Sequence, residues 1–166
     1  KKNLVLLGMM GVGKTTIGKI VAKKQVMEFI DTDKNIEEKC LMKISEIFKK
    51  KGEKFFRSEE EKETLKSLKK NNCIIALGGG AFINKNLRTN ILQKSISIWL
   101  DVDIKNLNER VKRNKKRPLL KTDDVKKKMK ELYDGRKNIY KLANHKITCD
   151  KLDKQNIAEK IVKLYE

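Results

Sequence analysis

Residues 8–15 read Gly-Met-Met-Gly-Val-Gly-Lys-Thr, the spacing G-x-x-x-x-G-K-[ST]. An apolar strand candidate precedes the run and an amphipathic helix candidate follows it, which is the setting this motif requires. Gly11, Val12 and Gly13 turn the chain so that backbone N–H groups face phosphate oxygens. A helix opening at Lys14 adds its partial positive charge. Lys14 then reaches the β- and γ-phosphates, the Thr15 hydroxyl ligates Mg²⁺, and Thr16 closes the nucleotide-binding run. The direct reading is an ATP or GTP site.

Asp31-Thr32-Asp33 ends the second strand candidate. In extended backbone, residues two apart face one side, so the two carboxylates are expected to project together. One carboxylate can help hold Mg²⁺, directly or through water, and the other can take hydrogen bonds from a substrate hydroxyl. The same tripeptide is also a good helix N-cap, and that reading stays open.

Only six arginines stand among 41 basic residues: Arg57, Arg88, Arg110, Arg113, Arg117 and Arg136. A composition so biased to Lys suggests Arg where a planar, bidentate fork is needed. Arg57 follows Phe56, with Glu60 three residues on to hold it. Arg57 and Arg136 together would clamp a carboxylate, although either alone fits an exposed ion pair. Arg117 precedes Pro118, the single proline, where a helix must stop. A basic loop carrying one Arg has the form of a lid over a transferring phosphate. Gly78-Gly79-Gly80 follows a strand candidate; it permits close approach of a ligand, or simply a flexible turn.

The elements that must hold these groups are legible as alternation. Strand candidates are Leu4–Leu7, Glu28–Asp31, Cys73–Leu77, Ile96–Leu100 and Lys146–Cys149. Helix candidates are Lys14–Lys24, Ile44–Lys50, Glu53–Lys70, Asn84–Gln93, Ile104–Lys112, Val125–Tyr140 and Asn156–Tyr165. Such alternation implies an α/β domain with a parallel sheet covered on both faces and ligands beyond its C-terminal strand ends. The 166 residues fit one domain. No apolar run reaches a membrane span, and the N-terminus is too brief for a secretory signal. The chain lacks an initiator Met, which leaves room for residues before position 1. Cys40, Cys73 and Cys149 are scattered and read as free thiols of a cytoplasmic protein. The +19 charge is carried mainly by Lys spread over every helix, and aromatics are 5%. That argues for a solvated surface that attracts anionic substrates, with neither nucleic acid nor membrane as partner. A basic, nucleotide-dependent nucleic-acid-binding module is the alternative of a different class.

Taken in order, the phosphate loop, Asp31-Thr32-Asp33, Phe56-Arg57-x-x-Glu60, Gly78-Gly79-Gly80, Arg117-Pro118-Leu119-Leu120 and Arg136…Tyr140 resemble shikimate kinase. The resemblance runs from Leu4 to about Cys149. It implies a P-loop fold of the nucleoside-monophosphate-kinase type, with a five-stranded parallel sheet, transferring the γ-phosphate of ATP to the 3-hydroxyl of shikimate. One kinase domain over 1–166 is expected, with a substrate-binding segment near 31–61, a lid near 112–124, and a monomeric state. By position, Arg57 and Arg136 would bind the shikimate carboxylate, beside Glu60. Asp33 and the glycines Gly78, Gly79 and Gly80 would hold its hydroxyls, and Phe56 would line the pocket. Arg117 would stabilise the transferring group, Arg110 would lie along adenine, and Thr15 and Asp31 would serve Mg²⁺. Two departures stand out: Asn138 where the family usually has Pro, and His145 where an acidic residue is common. Gluconate kinase is the nearest alternative enzyme, since gluconate also carries a carboxylate and hydroxyls.

Overall fold

The computed structural model describes residues 2–107 and 122–166, with side chains from 124 onward in the second stretch. Five strands form one sheet: β1 (Asn3–Leu7), β2 (Glu28–Asp31), β3 (Cys73–Ala76), β4 (Ser95–Asp101) and β5 (His145–Thr148). All pairings are parallel, and the order is β2-β3-β1-β4-β5. The central strands are apolar and buried along their length, as strands covered on both faces must be. The edge strands β2 and β5 alternate between buried and exposed.

Seven helices are described: α1 (Lys14–Gln25), α2 (Thr32–Cys40), α3 (Ile44–Lys51), α4 (Glu53–Leu68), α5 (Lys85–Lys94), α6 (Thr122–Tyr140) and α7 (Lys154–Tyr165). Residues 104–107 are also helical, and a 3₁₀ turn spans Ala81–Ile83. The connection β1-α1-β2 moves two places towards one edge of the sheet, whereas every later connection moves towards the other. Right-handed crossovers running in opposite directions lie on opposite faces. α1 therefore covers one face, where α7 packs against it, and α4, α5 and α6 cover the other. The order reverses between the adjacent strands β1 and β3, so the loops leaving them part and open a crevice.

One core lies between sheet and helices, with Leu4, Leu6, Ile17, Ile75, Trp99 and Ile161 among its enclosed side chains. A second, smaller cluster of Ile36, Ile47 and Phe56 joins α2, α3 and α4. Asn3 ties the sheet at its base, donating to the Lys70 carbonyl at 2.8 Å and accepting from Cys73 N–H at 2.9 Å.

Helix α2 corrects the expectation for residues 31–33. Asp31 ends β2 and Thr32-Asp33 already belong to the helix, so the two acids do not share an extended strand. The N-cap reading holds for Asp31, whose Oδ1 accepts from Lys34 N–H at 3.2 Å. Periodicity gave no warning of α2, because it buries only Thr32 and Ile36. Glu37 then caps the next helix, its carboxylate accepting from Ile44 N–H at 2.9 Å. Asn138 stands inside α6, which continues unbroken to Tyr140, so this departure leaves a regular helix carrying Arg136. His145 stands at the start of β5, paired with Ile98, at the strand end away from the crevice. All three cysteines are free.

Candidate active site

The phosphate loop leaves β1 through Gly8, whose φ is +144°. A β-carbon there would lie 2.6 Å from the Leu100 carbonyl oxygen, so the loop can leave the sheet only as glycine. Met9 and Val12 are buried and pin the loop from below. Lys14 folds back over it, donating to the carbonyls of Gly8 at 2.6 Å and Met9 at 3.4 Å. Protein atoms crowd its ammonium even though the residue keeps some exposed surface. That burial lowers its pKa to about 8, against the opposing pull of the Asp33 and Asp31 carboxylates. Thr16 faces solvent in the first turn of α1.

Thr15 and Asp31 meet. The hydroxyl donates to Asp31 Oδ2 at 2.9 Å, while the other carboxylate oxygen caps α2. A hydroxyl and a carboxylate beside a phosphate loop are hard oxygen donors of the kind Mg²⁺ takes. Among the described residues no cluster of three or more His, Cys, Asp or Glu offers a complete protein cage. Two protein oxygens fit an ion that draws its remaining ligands from phosphate and water.

The glycine triplet shows why three glycines stand in a row. None of the three has a positive φ, so a turn conformation does not demand them. Space does. A β-carbon on Gly78 would sit 2.5 Å from Asp33 Oδ1, one on Gly79 would sit 3.1 Å from Arg136 Nη1, and one on Gly80 would sit 2.6 Å from Arg57 Nη1. Each glycine thus receives one functional group from a different helix: α2, α6 and α4. The flexible-turn alternative gives way to close approach.

Those groups are held and charged in different ways. Arg57 Nη1 pairs with the buried Glu60 carboxylate at 2.9 Å, and its Nε lies 3.6 Å from Glu53. Its guanidinium lies over the rings of Phe56 and Phe48, with centroids at 5.3 and 6.0 Å. Phe56 itself is enclosed in the small cluster and supports Arg57 from beneath. Burial raises the Glu60 pKa, which Arg57 partly offsets. Burial also raises the Asp33 pKa, against the pull of the Lys14 ammonium. Asp33 Oδ1 and Glu60 Oε2 are buried without a hydrogen-bond partner among the described residues. A buried carboxylate oxygen so placed asks for a donor from a ligand.

Two open clefts reach this cluster: one of about 620 Å³ lined by Arg57, Gly80, Glu131 and Arg136, and one of about 700 Å³ beside Asp31 and Asp33. Arg88 is used differently, donating to the carbonyls of Phe82 and Ile83 and so bracing the turn after the triplet. Arg110, Arg113, Arg117 and most of segment 112–124 lie outside the described residues. Sequence reasoning missed Phe48 and gave Tyr140 no role. Tyr140 is four residues beyond Arg136, and that i, i+4 spacing on one helix was the available signal.

The arrangement can bind a nucleotide's phosphates at one loop and an anionic, hydroxylated molecule at the next, with an acid between them. Comparison with known proteins agrees. A family model described as shikimate kinase matches residues 10–166. The shikimate kinase of Sulfurihydrogenibium sp. (strain YO3AOP1) is 43% identical over 162 residues, covering 97% of this chain and 96% of its own length. That of Bartonella henselae is 41% identical over 160 residues, covering 96% of this chain and 76% of its own. Among solved structures, a shikimate kinase from Acinetobacter baumannii in complex with shikimate superposes with a TM-score of 0.91 at 32% identity, covering 99% of this chain and 92% of that one. Acid, arginines and glycines gathered beside a phosphate loop, on a sheet of this order, are accompanied by relatedness along nearly the whole sequence, and the chain belongs to the shikimate kinase family.

Proposed function

We propose that the chain transfers the γ-phosphate of ATP to the 3-hydroxyl of shikimate, giving shikimate 3-phosphate on the way to aromatic amino acids, as a cytoplasmic monomer that uses Mg²⁺. The observation that carries this reading is the triplet, which receives Asp33, Arg136 and Arg57 at successive α-carbons beside Lys14.

The substrate carboxylate is taken by Arg57 and Arg136, whose forks match it in charge and shape. Glu60, Phe48 and Phe56 hold the Arg57 guanidinium in place before the substrate arrives. This pre-orientation lowers the entropic cost of binding. Asp33 accepts a hydrogen bond from the substrate hydroxyl and takes its proton as the bond to phosphorus forms. Its raised pKa suits that role better than an ordinary, weakly basic carboxylate would. Lys14 and the backbone N–H groups of the phosphate loop hold the transferring phosphate in line, and alignment with charge neutralisation is most of what this reaction needs. Thr15 and Asp31 would hold Mg²⁺, which neutralises phosphate charge when bound. Arg117 and Arg110 keep the roles that the resemblance implies, on the transferring group and the adenine.

The test is a coupled ADP-release assay with ATP, Mg²⁺ and a panel of shikimate, gluconate and nucleoside monophosphates. Turnover confined to shikimate is expected, and preference for any other acceptor would overturn the assignment. Arg57→Ala should mainly raise KM for shikimate, and Arg117→Ala should lower kcat by about 10³-fold or more.

A further inference from the structure

Tyr140 is buried at the last position of α6, its ring packed against Trp99 at a centroid distance of 5.7 Å. Its hydroxyl is the only polar atom of the side chain, and it is not idle. It donates to the Gly79 carbonyl at 2.5 Å and lies 3.9 Å from Met9 Sδ in the phosphate loop. With its proton directed at Gly79, its lone pairs are left for a second donor. Arg136, one turn earlier on the same helix, brings its guanidinium to the same glycine, and its charge counters the upward push that burial gives the Tyr140 pKa. A β-carbon on Gly79 would stand 3.1 Å from Arg136 Nη1 and 3.7 Å from both the Gly8 carbonyl oxygen and the Met10 nitrogen, so helix, triplet and phosphate loop converge there.

We propose that Tyr140 is a positioning residue that fixes Arg136 against Gly79 and the phosphate loop, and so sets where the substrate carboxylate is held relative to the phosphate donor. An arginine side chain is long and loses much rotamer freedom when it binds. One wall of its slot is the bare α-carbon of Gly79, and the hydroxyl of Tyr140 is the other. Tyr140 need not touch the substrate to do this.

The proposal rests on the shikimate reading, and the two can fail separately. If the unaltered protein turns over no shikimate, the reading fails; if it does, the following comparison bears on Tyr140 alone. Tyr140→Phe removes only the hydroxyl and leaves the ring on Trp99. It should raise KM for shikimate about tenfold, the scale of a lost hydrogen bond to a charged group, with KM for ATP within twofold. In an Arg136→Lys background, which lacks the planar fork, the same change should raise KM for shikimate less than twofold. An equal rise for both substrates, no rise for shikimate, or an undiminished effect in the Lys background would overturn the proposal. Should Tyr140→Phe fold poorly, fluorotyrosine can replace the three tyrosines of the chain. The Tyr140 ¹⁹F resonance should then shift along the shikimate-binding curve. A resonance unmoved by saturating shikimate would overturn the proposal equally.

Discussion

Thr15 and Asp31 are joined across 2.9 Å, so the helix behind the phosphate loop is tied to the end of β2 by the same carboxylate that caps α2. The two oxygens of Asp31 can be separated experimentally. Asn caps helices as well as Asp does but has no charge for a metal. Asp31→Asn should therefore keep its melting temperature while needing about tenfold more Mg²⁺ for half-maximal rate. Asp31→Ala should show the same metal defect and lose about 1 kcal/mol of stability as well. Thermal melts alongside Mg²⁺ titrations of the rate check both.

The triplet predicts that neighbouring alanines will damage different kinetic constants. Gly80→Ala puts a methyl 2.6 Å from Arg57 Nη1, which should raise KM for shikimate by about tenfold or more. Gly78→Ala puts one 2.5 Å from Asp33 Oδ1, which should act on kcat, as should Asp33→Asn, by about 10²- to 10⁴-fold. Gly80 has a φ of −100°, which alanine adopts freely, so the backbone should tolerate that change. Steady-state kinetics on the three variants would show the split, and equal losses in both constants would remove it.

Lys14 makes nucleotide binding sensitive to pH in a definite direction. Its pKa of about 8 lies below the ordinary 10.5, so the charged form is penalised in the free protein. That penalty on folding is complete below about pH 8 and disappears as pH rises towards 10.5. Bound phosphates favour the ammonium and oppose the shift. ATP binding should therefore take up a proton near and above pH 8, and affinity should fall by up to about tenfold per pH unit there. Calorimetry in buffers of different ionisation enthalpy measures the uptake, and Lys14→Met should abolish it.

Val26 offers a stability test far from the chemistry. It ends α1 with a φ of 53° and is 83% exposed, an uncomfortable conformation for a β-branched side chain that buries nothing in return. Val26→Asn should stabilise the protein by about 0.5–1 kcal/mol, raising its melting temperature by about 2 °C, with unchanged kinetics. Calorimetric melts decide it.

Much of this site could be read in advance because it depends on residue types that physics restricts. The phosphate loop needs glycines and a lysine at one spacing, and the two arginines brought to the triplet stand out in a chain that otherwise prefers lysine. The strands were legible as apolar runs, with edges displaced by a residue or so. α2 was not, since Ile36 is its single buried apolar residue and periodicity needs several. Strand order was also out of reach, because it depends on packing between segments distant in sequence. For the same reason the triplet suggested closeness to a ligand, but not that its immediate neighbours are Asp33, Arg136 and Arg57. Phe48 carries no signal of its own in the sequence, because only the packing of α3 on α4 brings it under Arg57.

The reversal of strand order between β1 and β3 has a metric consequence. The phosphate loop and the glycine triplet leave neighbouring strands, and the gap between such strands is set by backbone hydrogen bonding at about 4.8 Å. The sheet thus acts as a gauge for how far apart the two loops begin, whatever side chains they carry. Lengthening either loop by one residue would leave the gauge intact and put its two jaws out of line.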